Sequence, residues 1–184
     1  MSIAKNIFMV ITSPKLGWEG VNESVTATAR VLSSGFYPVL AILAIASFVP
    51  YIYTPTDWPL SKLLIHAIIE FTSFFASYFL ISYLLGGFYP RLVKTPSATT
   101  RLNNFIIYNL IYLALLEICN NLLDNAFSPL YFMLLYVCVL VNKGAIHYLG
   151  MSNDKKLTKF VLVASALLIL LPIIIRYLLG FMMS

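Results

Sequence analysis

Apolar positions come in five long runs separated by short polar breaks. The runs cover residues 31–53, 63–86, 103–123, 127–149 and 160–183. Each is long enough for a helix that crosses a bilayer core, which takes ~20 apolar residues at ~1.5 Å rise per residue. None alternates as the strands of a membrane barrel do. The breaks carry turn chemistry: Pro55, Asp57 and Pro59; Gly86, Gly87, Pro90 and Pro96; Asn125, Ser128 and Pro129; Gly150, Ser152, Asn153 and Asp154. The expected fold is all-α and integral to a membrane. Residues 31–184 form a single five-helix domain behind a segment of residues 1–30.

That first segment has a helical pattern of its own. Ile3, Ile7, Val10 and Ile11 share one side, with Phe8 alongside, and Lys5 and Asn6 fall elsewhere. Pro14 interrupts, and Lys15 and Trp18 follow. The pattern fits a short amphipathic helix lying on the membrane surface, anchored by Phe8, Trp18, Lys5 and Lys15. It fits equally a helix packed on the bundle's own end. Aromatic residues near the run ends (Tyr51, Tyr53, Trp58, Phe88, Tyr89, Tyr148) read as interface belts. No apolar core with a small-residue cleavage site follows Met1, so uncleaved insertion is expected.

Composition agrees with the pattern: 60% of the 184 residues are hydrophobic and 10% charged, against about 25% charged in soluble domains. The net charge of +5 would suggest nucleic acid in a soluble chain. Here its placement matters more. With five spans, ten of the twelve basic residues fall on one side, and only Lys62 and Arg176 toward the other. The positive-inside rule then places the N-terminus in the cytoplasm and the C-terminus outside. The inner side holds +7 and the outer half −2. The expected partners are the bilayer and anionic headgroups on its cytoplasmic face, not nucleic acid. A protein partner or a second copy of the chain stays open. Cys119 and Cys138 sit at different depths and are not expected to pair.

Several short motifs resemble a known group. Ser13-Pro14-Lys15 followed by Trp18-Glu19 is similar to the opening of many bacterial Yip-domain proteins. Gly86-Gly87 closing a leucine-rich second span, and the charged loop Asp154-Lys155-Lys156 before a very apolar last span, are similar too. The resemblance implies a five-span bundle in the bacterial cytoplasmic membrane, its N-terminus inside. Eukaryotic relatives engage Rab-type GTPases through a long cytosolic N-terminal region. Only residues 1–30 stand in that place here, so the resemblance does not carry the GTPase over. It implies no catalytic residues.

Ionisable groups inside spans are costly and are functional candidates by default. His66 and Glu70 lie on the second run, Glu117 on the third and Arg176 on the fifth. Glu70, Glu117 and Arg176 fall about 9–10 Å below the expected outer ends of their helices, and His66 about 5 Å. Three helices thus bring charge to one layer. On the second helix Lys62, His66, Glu70, Ser73 and Ser77 fall within an arc of about 80°. On the third, Asn109, Glu117, Asn120 and Asn121 fall within about 120° by the same count. Lipid cannot satisfy such faces, so they point to the bundle interior or to an aqueous cavity.

Two readings of this layer stand side by side. In one, Arg176 pairs with Glu117 or Glu70 and pins the helices, as in a membrane-organising or partner-binding protein. In the other, an outward-facing cavity uses Glu70, Glu117, His66 and Arg176 as a small transporter or permease does. A metal reading of His66, Glu70 and Glu117 has the i, i+4 spacing for two ligands. It is set aside because His147 is too far away to join. No cofactor is expected. No H-E-x-x-H, G-x-S-x-G or P-loop pattern occurs. Asp57, Asp124 and Asp154 all lie in breaks, which excludes an intramembrane aspartyl protease. Two histidines are too few for a membrane di-iron hydroxylase. The chain reads as non-enzymatic.

Overall fold

The computed structural model describes residues 2–24, 26–53, 59–123, 132–151 and 155–183. Among them every regular element is helical. The order is α1 (Ile3–Thr12), α2 (Pro14–Ser24), α3 (Thr28–Ala46), α4 (Pro50–Tyr53), α5 (Leu60–Phe88), α6 (Pro96–Leu122), α7 (Tyr136–His147) and α8 (Lys155–Met183). A 3₁₀ turn, Pro90–Val93, links α5 to α6.

Four of these, α3, α5, α6 and α8, are long and apolar enough to cross a membrane. The run expected at residues 127–149 is described only from residue 132, and α7 spans 12 residues of it. The reversal expected at Asn125, Ser128 and Pro129 lies outside the described residues, as does Trp58.

Local chemistry sets the helix ends. Thr95 caps α6 by accepting a hydrogen bond from the Ala98 N–H at 3.2 Å, and Pro96 takes the first helical position. This starts α6 seven residues before the expected boundary at 103. The hydroxyls of Thr99 and Thr100 bond back to the carbonyls of Thr95 and Pro96, so the polar first turns still extend the helix. The run expected at 31–53 divides. Its helix ends at Ala46, turns follow, and Pro50 opens α4. Proline has no N–H to continue a helix and disfavours helical geometry in the residue before it. Leu32–Phe36 forms a π-helical turn inside α3.

Helix α6 is the centre of the bundle. Leu102, Phe105, Ile106, Ile107, Leu110, Ile111 and Ala114 are all buried, and α3, α5, α7 and α8 pack around it. Helix α8 lies on α5 and α7. Its outer face stays apolar and exposed, with Leu162, Leu170, Ile174, Leu178 and Phe181. Exposed apolar surface around an interior that holds buried Asn and Glu side chains is the distribution lipid favours.

The N-terminal hairpin α1–α2 packs on one end of this bundle. Gly17 sits where the two helices touch: a Cβ there would lie 2.4 Å from the Val10 backbone nitrogen. The α1 stripe faces protein, with Ile3 and Ile7 against Gly35 of α3. Phe8 is exposed, as are Lys5 and Lys15.

The expectation for Trp18 is corrected. It is not a surface anchor but is wholly buried (0% exposed). Its ring stacks on Tyr148 and lies 5.4 Å from Phe105 between ring centres. Its Nε1 donates to the Leu140 carbonyl at 3.0 Å. Pro14 and Gly17 cause this: one starts a second helix and the other lets it fold tightly onto α1, which turns Trp18 inward. Tyr148, expected in an interface belt, is buried with it.

Candidate functional site

The ionisable groups of α5, α6 and α8 meet. The Arg176 guanidinium donates through Nη2 to Glu70 Oε2 at 2.6 Å and through Nη1 to Glu117 Oε1 at 2.8 Å. One cation thus joins three helices. Glu70 is the deepest member, with a side chain only 2% exposed. Glu117 and Arg176 are partly open. His66, one turn before Glu70, places Nε2 3.9 Å from Glu70 Oε1, beyond hydrogen-bond range. The ring of Tyr51 meets His66 edge-on at 6.0 Å.

The group borders a cavity of about 480 Å³. Its polar lining comes from Ser47, Tyr51, His66, Asn120, Asn121 and Tyr177 besides the three charges, and its apolar wall includes Phe74, Leu113, Leu168 and Pro172. Pro172 stands one turn before Arg176 within α8. Among the described residues, His66 Nδ1, Asn121 Nδ2 and Arg176 Nε are buried without a hydrogen-bond partner. With all three groups ionised, the two carboxylates exceed the one guanidinium by a formal charge of −1.

Three residues expected in the layer do not line this cavity. The Ser73 and Ser77 hydroxyls donate to the carbonyls of Glu70 and Ser73 on their own helix, at 2.9 and 2.6 Å. Short hydroxyls on a helix satisfy themselves this way. Asn109 lies about 12 Å along α6 from Glu117, and its Nδ2 donates to the Phe105 carbonyl at 2.7 Å. Sharing a face of the helical wheel does not mean sharing a depth. Tyr51 and Ser47 join the cavity although no periodicity marked them; the break before Pro50 brings them in.

No three His, Cys, Asp or Glu side chains among the described residues form a group that could hold a metal ion. Chemically, the arrangement offers a paired cation, one spare formal negative charge and amide and imidazole groups around a small space. No family model, curated protein or solved structure matches the chain.

Proposed function

We propose that the chain is a non-enzymatic, Yip-like protein of the bacterial cytoplasmic membrane that organises the bilayer or binds a partner within it. In this reading it has five spans, the apolar run 127–149 supplying the fourth in chain order. Its N-terminus is cytoplasmic, and its basic end rests on anionic headgroups. The observation that carries the scaffold reading is the fork of Arg176 between Glu70 and Glu117. A guanidinium held at both Nη atoms by carboxylates of two helices fixes a third helix in register, whereas a transport site needs its charges available to substrate. Direction of the basic residues supports the orientation.

The cavity beside the fork favours a second reading, a small transporter, because the spare negative charge suits a cation. Purified protein in sealed vesicles separates the two. The scaffold reading expects vesicles to change shape with protein density while a trapped pH dye and a trapped potassium dye report no flux above protein-free vesicles. Saturable flux that Glu70→Gln abolishes would overturn it in favour of transport. Terminal tags test the topology: a C-terminal tag reached by an impermeant protease, with an N-terminal tag protected, is the expected result.

A further inference from the structure

A crevice of about 620 Å³ opens at the other end of the bundle, far from the Arg176 fork. The 3₁₀ turn after α5 brings Arg91 beside the chain between α7 and α8, and the first turns of α8 bring Lys156 and Lys159. Tyr89, Leu149 and Met151 form its apolar wall. No carboxylate is among its described lining residues. Arg91, Leu92 and Leu149 also line a smaller neighbouring crevice of about 210 Å³ that adds Arg101. The cations therefore come from three separate segments. Tyr89 is fixed by its edge-on contact with Phe160 at 5.0 Å.

The crevice continues into an apolar groove. Phe88 lines both it and a surface groove of about 540 Å³ along the end of α5, formed with Ser82, Tyr83, Leu84, Gly86 and Gly87. A Cβ on Gly87 would meet nothing within 4 Å, so glycine leaves this surface bare, and Tyr83 and Phe88 stand exposed at its edge. A cationic crevice joined to an apolar groove on a membrane-facing helix matches an anionic head with a hydrocarbon tail. Neither half alone selects that ligand; the junction at Phe88 does.

We infer that this end of the bundle is a binding site for one anionic glycerophospholipid. Arg91, Lys156 and Lys159 take the phosphodiester, and the bare face of α5 at Gly86 and Gly87 takes an acyl chain. The inference rests on the membrane reading but not on the scaffold role. The vesicle assays above can fail while this site stands, and the reverse.

The test uses the full chain in a neutral detergent, with thermal unfolding followed against added phosphatidylglycerol, phosphatidylcholine of the same chains, or inorganic phosphate. Phosphatidylglycerol should raise Tm saturably, while the other two should not. Arg91→Gln with Lys159→Gln should weaken the half-saturating concentration about 20–30-fold, from two cations near a headgroup. Arg30→Gln, at an exposed arginine outside the crevice, should leave it unchanged. An equal response to phosphatidylcholine, or equal weakening by Arg30→Gln, overturns the site, because lipid is then bound without this crevice. An equal response to inorganic phosphate overturns the lipid assignment. If the Arg91 and Lys159 pair does not fold, Gly87→Leu decides. It fills the groove without a clash, and an unchanged phosphatidylglycerol response there overturns the proposal.

Discussion

The two ends of α6 are held by opposite means. Near its start, Phe105 joins Trp18, Tyr108 and Tyr148 in an aromatic cluster closed by Gly144. Near its end, about 18 Å further along the helix, Glu117 joins Glu70 and Arg176 beside a cavity. The first end is specified by the shape of its closely packed rings. A Cβ on Gly144 would lie 2.7 Å from Phe105 Cε2 and 2.8 Å from Trp18 Cε2, so any larger residue must push these rings aside. The second end is specified by charge and leaves space unfilled. Shape gives stability directly through buried area. Charge gives register, at a desolvation cost its own attraction roughly offsets.

The sharpest way to break the first end is Trp18→Ala. It removes the largest fully buried side chain among the described residues, an indole hydrogen bond to Leu140 and the tie between hairpin and bundle. The expected loss is about 3–5 kcal/mol of stability, read as a fall in unfolding midpoint in mixed micelles. Protease access to the α1–α2 hairpin should rise with it. A surface anchor replaced by alanine would change membrane partitioning and leave unfolding alone, so an unchanged midpoint would contradict the buried placement.

Breaking the second end takes Arg176→Met. Glu70 and Glu117 then face each other with no cation between them, and Glu70 stays 2% exposed. Removing one partner of a buried ionic group costs about 3 kcal/mol or more. The expected reading is loss of folded protein on purification, partly rescued by adding Glu70→Gln, which removes the charge left unpaired. Failure of that second change to help would show that the arginine matters for packing rather than for pairing.

Four of the five expected runs coincide with long helices, because such helices leave a long apolar signature. The charged layer was legible because Glu and Arg are so rare in such runs that their depths can be compared. What the apolar pattern hid was direction. Trp18 has the same amphipathic character whether it faces lipid or protein, and only the fold of Pro14 and Gly17 decides. Ser73, Ser77 and Asn109 fell on the right face of a helical wheel, but the wheel discards position along the axis and says nothing of hydroxyls bonding to their own backbone. The division after Ala46 was hidden because the same apolar run also holds Pro38, which does not interrupt its helix, so Pro50 alone did not mark a break.

Gly144→Ala tests the shape end more gently. The added methyl must displace the Phe105 and Trp18 rings, both of them buried and locked by neighbours. Overpacking of this kind costs about 1–3 kcal/mol. Indole fluorescence should report the shift of Trp18 in the folded state. Pairing it with Phe105→Leu should recover part of the loss, since the smaller side chain yields the space. Additive losses in the pair would mean that Gly144 does not act through that ring.

The smallest effect on stability is expected from the largest change at the charged end. Replacing the whole group at once, Glu70→Leu with Glu117→Leu and Arg176→Met, leaves no charge unpaired. Buried ion groups replaced together by apolar residues of similar volume are often neutral, or stabilising by ~1–4 kcal/mol. The triple variant should therefore unfold no earlier than the wild type, although Arg176→Met alone is severe. That contrast separates what the charges cost from what they specify. If the group only pins register, the triple variant keeps its stability and loses order between α5, α6 and α8, read as a wider spread of cross-linking distances between cysteines placed on those helices. If it unfolds early, the fork supplies net stability as the aromatic end does, and the two ends of α6 are less different than their chemistry suggests.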